Sequence, residues 1–121
     1  MYVTNSGSNS VSVINGTSRE VIGSLPVKKY SAIGDGPTDI VLDSQSNRGY
    51  IIAPTSDNMF IIDLKEIRQS GNTSNFINKS DIYIIKAVSN LKNPHGIALN
   101  SETKKIYVTS GDNNVINIIE P

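Results

Sequence analysis

The chain has 121 residues, the size of one small domain. Its eleven basic and eleven acidic side chains cancel, with neither sign blocked along the sequence, which argues against nucleic acid as a partner. It has no cysteine, which excludes disulfides, thiolate catalysis and cysteine-ligated metal, and it lacks the apolar run of about eighteen residues that would span a membrane.

Tyr2-Val3-Thr4-Asn5 begins a pattern that returns at Tyr50-Ile51-Ile52-Ala53 and at Tyr107-Val108-Thr109-Ser110. Seven residues after each Tyr stands a small turn former: Asn9, Asp57 or Asn114. An apolar pair follows: Val13-Ile14, Ile61-Ile62 or Ile118-Ile119. Residues 37–63 align on 94–120 without a gap, so that Ile40-Val41-Leu42-Asp43 matches Ile97-Ala98-Leu99-Asn100. The Tyr-to-Tyr spacings are 48 and 57 residues (2 to 50, then 50 to 107). The difference falls in loops, chiefly an insertion at 65–80. Internal repetition of this kind decides architecture before local propensity does.

In chain order, Met1 leads directly into a strand, without the charged and apolar regions of a secretory leader. Glu20–Val27 is a mixed strand whose Pro26 cannot donate to a ladder, which suits a sheet edge. Asp39–Asp43, Gly49–Ala53, Asn58–Leu64 and Asp81–Val88 are rich in Ile, Val, Leu and Tyr, and clusters of Ser, Asn, Asp, Gly and Pro separate them. Ser44-Gln45-Ser46-Asn47 and Asn100-Ser101-Glu102-Thr103 fit tight turns, because short polar side chains bond their own backbone there. The best helical candidate, Leu64–Gln69, is short. Ile40-Val41-Leu42, Ile82 to Ile85, and Ile116 with Ile118-Ile119 are apolar on both faces. Such strands are expected to be covered on both sides.

Four strands per unit, repeated at this period, predict an all-β chain of β-propeller blades, each of four antiparallel strands. The strands number ten, in groups of three, four and three. The expected division is 1–30 for part of a first blade, 31–90 for a second with its insertion at 65–80, and 91–121 for part of a third. About two and a half blades make an incomplete propeller, since a ring closes with roughly four to eight. The expectation is a fragment of a longer protein, with the remaining blades in cis. The alternative is that other copies assemble in trans.

The run from Tyr2 to Asn15 closely resembles the YVTN-repeat β-propeller family of prokaryotic surface and surface-layer proteins. Gly34, Pro37, Ile40, Tyr50, Ile62 and Asp63 fit that family's frame, as do Pro94, Ile97, Tyr107, Val108, Thr109 and Ile119. Ile51-Ile52-Ala53 departs from it, as does the insertion. The resemblance implies an extracellular or cell-surface scaffold that binds a protein or surface ligand, with no enzymatic activity and no cofactor.

The candidate contact loops are 34–38, 54–57, 92–96 and 111–114, expected on one rim, where a propeller's channel opens. Their candidate residues are Asp35, Thr38, Asp57, Lys92, Asn93, His95 and Asn114. His95 is the chain's one histidine. In an alternative reading it belongs to a propeller enzyme, a lactonase or a quinone- or metal-dependent oxidoreductase. A zinc or copper centre needs three or four ligands, however, and neither a second His nor a Cys is present. Asp39 and Asp43 share a strand face but stand about 13 Å apart, too far for a glycosidase pair; turn and capping roles suit them better. Gly34-x-Gly36 lacks the third glycine and the helix of a dinucleotide site. Gly111-Asp112-Asn113-Asn114 is a hairpin turn rather than a calcium loop. The repeat tyrosines Tyr2, Tyr50 and Tyr107 are expected to pack between blades. Asn15, Asn72 and Asn78 head glycosylation triplets, which an Asn- and Ser-rich chain also produces by chance. Phe76 and Ile77, in the insertion, are apolar residues in a polar setting and either fold back or dock a partner.

Overall fold

The computed structural model describes residues 1–26, 35–70 and 83–120, the side chains of 68–70 excepted. Within these the chain is all-β, in three antiparallel sheets that resemble propeller blades. The first sheet contains β1 (Tyr2–Asn5), β2 (Ser10–Ile14) and β3 (Val21–Pro26). The central sheet contains β4 (Asp39–Asp43), β5 (Arg48–Ala53), β6 (Asn58–Asp63) and β7 (Ile84–Val88). The third contains β8 (Pro94–Leu99), β9 (Ile106–Ser110) and β10 (Val115–Ile119). Each strand pairs with its sequence neighbour, so every sheet is a meander. Turns with positive φ make this possible. Asn9, Asp57 and Asn114 take φ of 51°, 55° and 55°, a left-handed conformation that Asn and Asp tolerate better than most residues.

The two apolar cores lie between sheets. Val11, Val13 and Leu25 of the first sheet pack on Ile51, Phe60 and Ile62 of the central one. Tyr50, Ile52, Met59 and Ile61, on the opposite face of the central sheet, pack on Ile106 and Val108 of the third. Adjacent residues such as Ile51 and Ile52 therefore enter different cores, because side chains alternate across a strand. Each fully buried Ile or Phe contributes about 1.5–3 kcal/mol. Tyr50 lies in the second core and Tyr2 packs against the first, the packing role expected of them, whereas Tyr107 is half-buried on the outer face of the third sheet and belongs to neither core.

The helical candidate Leu64–Gln69 is a helix, α1 (Leu64–Ser70), and β6 ends at Asp63, so that Leu64 belongs to the helix and not to the strand Asn58–Leu64 that composition suggests. The switch has a local cause. Asp63 Oδ1 accepts the backbone N–H groups of Lys65 (2.9 Å) and Glu66 (3.2 Å), a helix cap. Leu64 and Ile67, three apart on one helical face, then enter the first core. Of the insertion, Asn72, Phe76, Ile77 and Asn78 lie outside the described residues. Where the chain returns, Tyr83 is fully buried and its hydroxyl donates to the Pro26 carbonyl, tying the central sheet to the first. Burial raises the Tyr83 phenol well above its ordinary value, so it donates throughout the usual pH range. Pro26 ends β3, an edge strand, as its missing donor requires.

The expectation of cover on both faces fails in three of the apolar strands. Leu42 of β4 and Ile85 of β7, in the two edge strands of the central sheet, are 44% and 48% exposed, and Ile82 lies outside the described residues. In β10, Ile116 and Ile118 are 64% and 60% exposed, because no described segment lies over the outer face of the third sheet. That strand is covered on the other face alone.

Phe60→Ala should lower stability by about 3–5 kcal/mol, since it empties the first core. Tyr83→Phe should cost about 1 kcal/mol through the loss of one hydrogen bond to a buried carbonyl. Urea unfolding of both variants checks this order. Equal losses would contradict it.

Candidate functional site

The loops expected to share a rim are linked there by hydrogen bonds. Asn9 ends the β1–β2 turn, and its Oδ1 accepts the Gly36 N–H at 2.8 Å. Asp57 ends the β5–β6 turn, and its Oδ1 accepts the Asn93 N–H at 2.7 Å. In both cases a left-handed turn residue of one sheet holds the segment leading into the next. The Asp57 carbonyl also accepts the Leu91 N–H at 2.9 Å. Such bonds satisfy backbone donors that would otherwise be lost in the loops.

The local sequence explains the fit. Pro54–Ser56 forms one 3-10 turn and Asp57 follows it in the left-handed conformation. Ser56 Oγ accepts the Asp35 N–H at 3.1 Å and donates to Asn58 Oδ1 at 2.8 Å. Gly36 has φ of 66°, and a Cβ there would stand 2.4 Å from Thr55 Oγ1. Glycine is required on both counts. Thr38 is exposed, and its N–H donates to the Ile52 carbonyl at 3.1 Å.

The next stretch is built the same way. Lys92 and Asn93 both have positive φ, 54° and 56°. Their carbonyls accept the N–H groups of Asp112 (3.3 Å) and Gly111 (2.9 Å). Asn93 Nδ2 donates to Asp112 Oδ1 at 3.2 Å. His95 is exposed and its ring lies against Gly111, where a Cβ would stand 2.5 Å from Cδ2 and 3.0 Å from Nε2. Among the described residues no three His, Asp or Glu side chains gather as a metal centre. Asn114 is exposed at the third turn, apart from this network. All seven candidates thus occur along one rim, and six of them (Asp35, Thr38, Asp57, Lys92, Asn93 and His95), or their backbones, join neighbouring strands and sheets there. Asn15 lies in the β2–β3 turn at the other end, its Oδ1 accepting the N–H groups of Thr17 (2.9 Å) and Ser18 (3.2 Å).

The sequence reading missed a second junction on that opposite rim. Lys104 Nζ donates to Asp43 Oδ1 at 3.1 Å and to Gln45 Oε1 at 2.8 Å. It lies 3.1 Å from Asp43 Oδ2 as an ion pair without hydrogen-bond geometry. Asp43 also accepts the N–H groups of Gln45 (3.2 Å) and Ser46 (3.3 Å), the turn role expected of it. Hydrogen bonding from Ser46 and then from Lys104 holds the Asp43 carboxyl below its ordinary 3.8, against the opposing effect of burial. The missing signal was spatial: Lys104 follows Asp43 by 61 residues in sequence.

Two outcomes are expected. Asp57→Ala should cost about 1 kcal/mol, and Asp57→Asn much less, because Asn9 makes the equivalent bond with an amide oxygen. Chemical denaturation separates the two; equal losses would show that the bond carries no stability. The Asp43 contribution should be complete above its unfolded value, near 3.8, and should fade as pH falls through its lower folded value. Wild type and Asp43→Asn should therefore differ in melting temperature at about pH 6 and converge as acid protonates the carboxylate. A gap constant in pH would contradict this assignment.

No protein-family model matches the chain, and no curated protein matches it. Among solved structures, Kuenenia stuttgartiensis hydrazine synthase superposes on 93% of this chain with a TM-score of 0.76 and 17% sequence identity. The match spans 34% of that protein's chain. At this identity the likeness is one of fold alone, and it agrees with the antiparallel, blade-like sheets described above.

Proposed function

We propose that the chain is a non-enzymatic scaffold of the propeller type and serves as an interaction module. The observation that carries this reading is the use made of the rim's polar groups. Asp57, Asn93, Asp112 and Ser56 bond to neighbouring loops, and the His95 ring rests against Gly111. Groups committed in this way hold loops in place. What the rim presents outward is a fixed surface of exposed Thr38, Lys92, His95, Asp112 and Asn114, suited to a protein or surface ligand. The Tyr-Val-Thr-Asn repeat supports membership of the YVTN-repeat family and, with it, a cell-surface location.

The enzyme reading gives His95 a ligand's role. Thermal melts with and without zinc or copper separate the two. The scaffold reading expects the same melting temperature with and without metal, in wild type and in His95→Ala. A metal-dependent rise in wild type that His95→Ala abolishes would overturn it in favour of a metal site.

A further inference from the structure

The outer face of the third sheet occupies the position that, one repeat earlier, is an interface. Tyr50, Met59 and Ile61 of the central sheet are buried against the third sheet. Their repeat equivalents on the third sheet are Tyr107, Ile116 and Ile118, of which the two isoleucines are 64% and 60% exposed. A recess of about 510 Å³ adjoins this face, lined by Ala98, Leu99, Asn100, Ser101, Glu102 and Tyr107. These positions repeat Val41 to Gln45 and Tyr50. In the earlier copy Asp43 and Gln45 hold Lys104 of the adjoining sheet, at 3.1 Å and 2.8 Å.

The matching surface is found on the first sheet. The face that the third sheet turns toward Tyr50 carries Val108, Ser110, Asn117 and Ile119, with Asn117 Nδ2 donating to Ser110 Oγ at 2.6 Å. The outer face of the first sheet carries Val3, Asn5, Ser12 and Ile14 at the same repeat positions. There Asn5 Nδ2 donates to Ser12 Oγ at 2.9 Å. The diagonal pair is the same, with Asn and Ser exchanged between strands. The first sheet thus displays the chemistry that the central sheet's tyrosine face accepts.

We propose that the third sheet's outer face docks on the first sheet's outer face of a second copy of this chain, head to tail. Two copies joined in this way close a ring of six sheets. That lies within the roughly four to eight blades at which propellers close, and three copies would exceed it. Closure satisfies both open faces at once, as a heterologous contact must if it is not to grow into a filament. The proposal does not rest on the reading of the rim.

Light scattering on the purified chain tests it. The expected mass is about twice 13.1 kDa. Ile116→Glu and Val3→Glu charge the two faces separately. Both positions are exposed in the single chain, at 64% and 40%, so each variant should keep the wild-type circular dichroism. Each should become monomeric, and mixing the two should restore dimers through the one junction left intact. A monomeric wild type would overturn the proposal and would mean that any cover comes from further blades in cis or from another polypeptide. A dimer indifferent to Val3→Glu would reveal face-to-face pairing of third sheets instead, and an open polymer would contradict closure.

Discussion

The structure depends on burying a sheet that is apolar on both faces. Ile51 and Ile52 are adjacent in sequence, point to opposite faces and are both fully buried. So are Met59 and Phe60. A sheet of this kind has no solvent face, and it is stable only between two neighbours. The first and third sheets supply them, at the cost of bringing two further faces to the surface. The first sheet's outer face is relieved by polar side chains, Asn5, Ser12 and Ser24, whereas the third keeps Ile116 and Ile118. The repeat therefore solves its packing problem in the middle and passes it outward.

Apolar burial alone does not set how one sheet lies on the next. Directional bonds at the rims do. Asn9 to Gly36 and Asp57 to Asn93 are the same junction made twice, with the same turn position supplying the acceptor. On the opposite rim Lys104 reaches Asp43 and Gln45. Each of these bonds is modest in net free energy. Their value lies in register, since a sheet that slides must break them. The same commitment links structure to the proposed function: side chains that hold loops form a fixed surface, and a fixed surface binds without a large ordering cost.

Much of the fold was legible in the sequence because repetition carries more information than local propensity. The Tyr spacing and the gapless alignment of 37–63 on 94–120 placed the strands and their grouping by three, four and three. Pro26 marked an edge because it lacks a donor. The end of β6 was less legible, since Asp63 caps a helix and closes a strand with the same side chain. The apolar runs ending in Leu42, Ile85 and Ile119 suggested cover on both faces, yet Leu42, Ile85, Ile116 and Ile118 are exposed, because composition records a preference for burial and not the presence of a neighbour. At the rim, the loops could be grouped from the repeat. Which atoms join them could not, because Asp57 and Asn93 are 36 residues apart. Asp43 and Lys104 are further apart still, in elements whose closeness follows from sheet packing alone.

The central claim is that turn side chains fasten each sheet to the segment leading into the next. Amide hydrogen exchange followed by NMR addresses it directly, at the backbone N–H groups of Gly36 and Asn93. Both lie in loops, where unbonded amides exchange near the rate of an unfolded chain. Held by Asn9 and Asp57, they should be protected to about the level of the strand amides of β5 and β6, and should lose protection in the Asn9→Ala and Asp57→Ala variants respectively. Exchange at the free-loop rate in the wild-type chain would contradict the account.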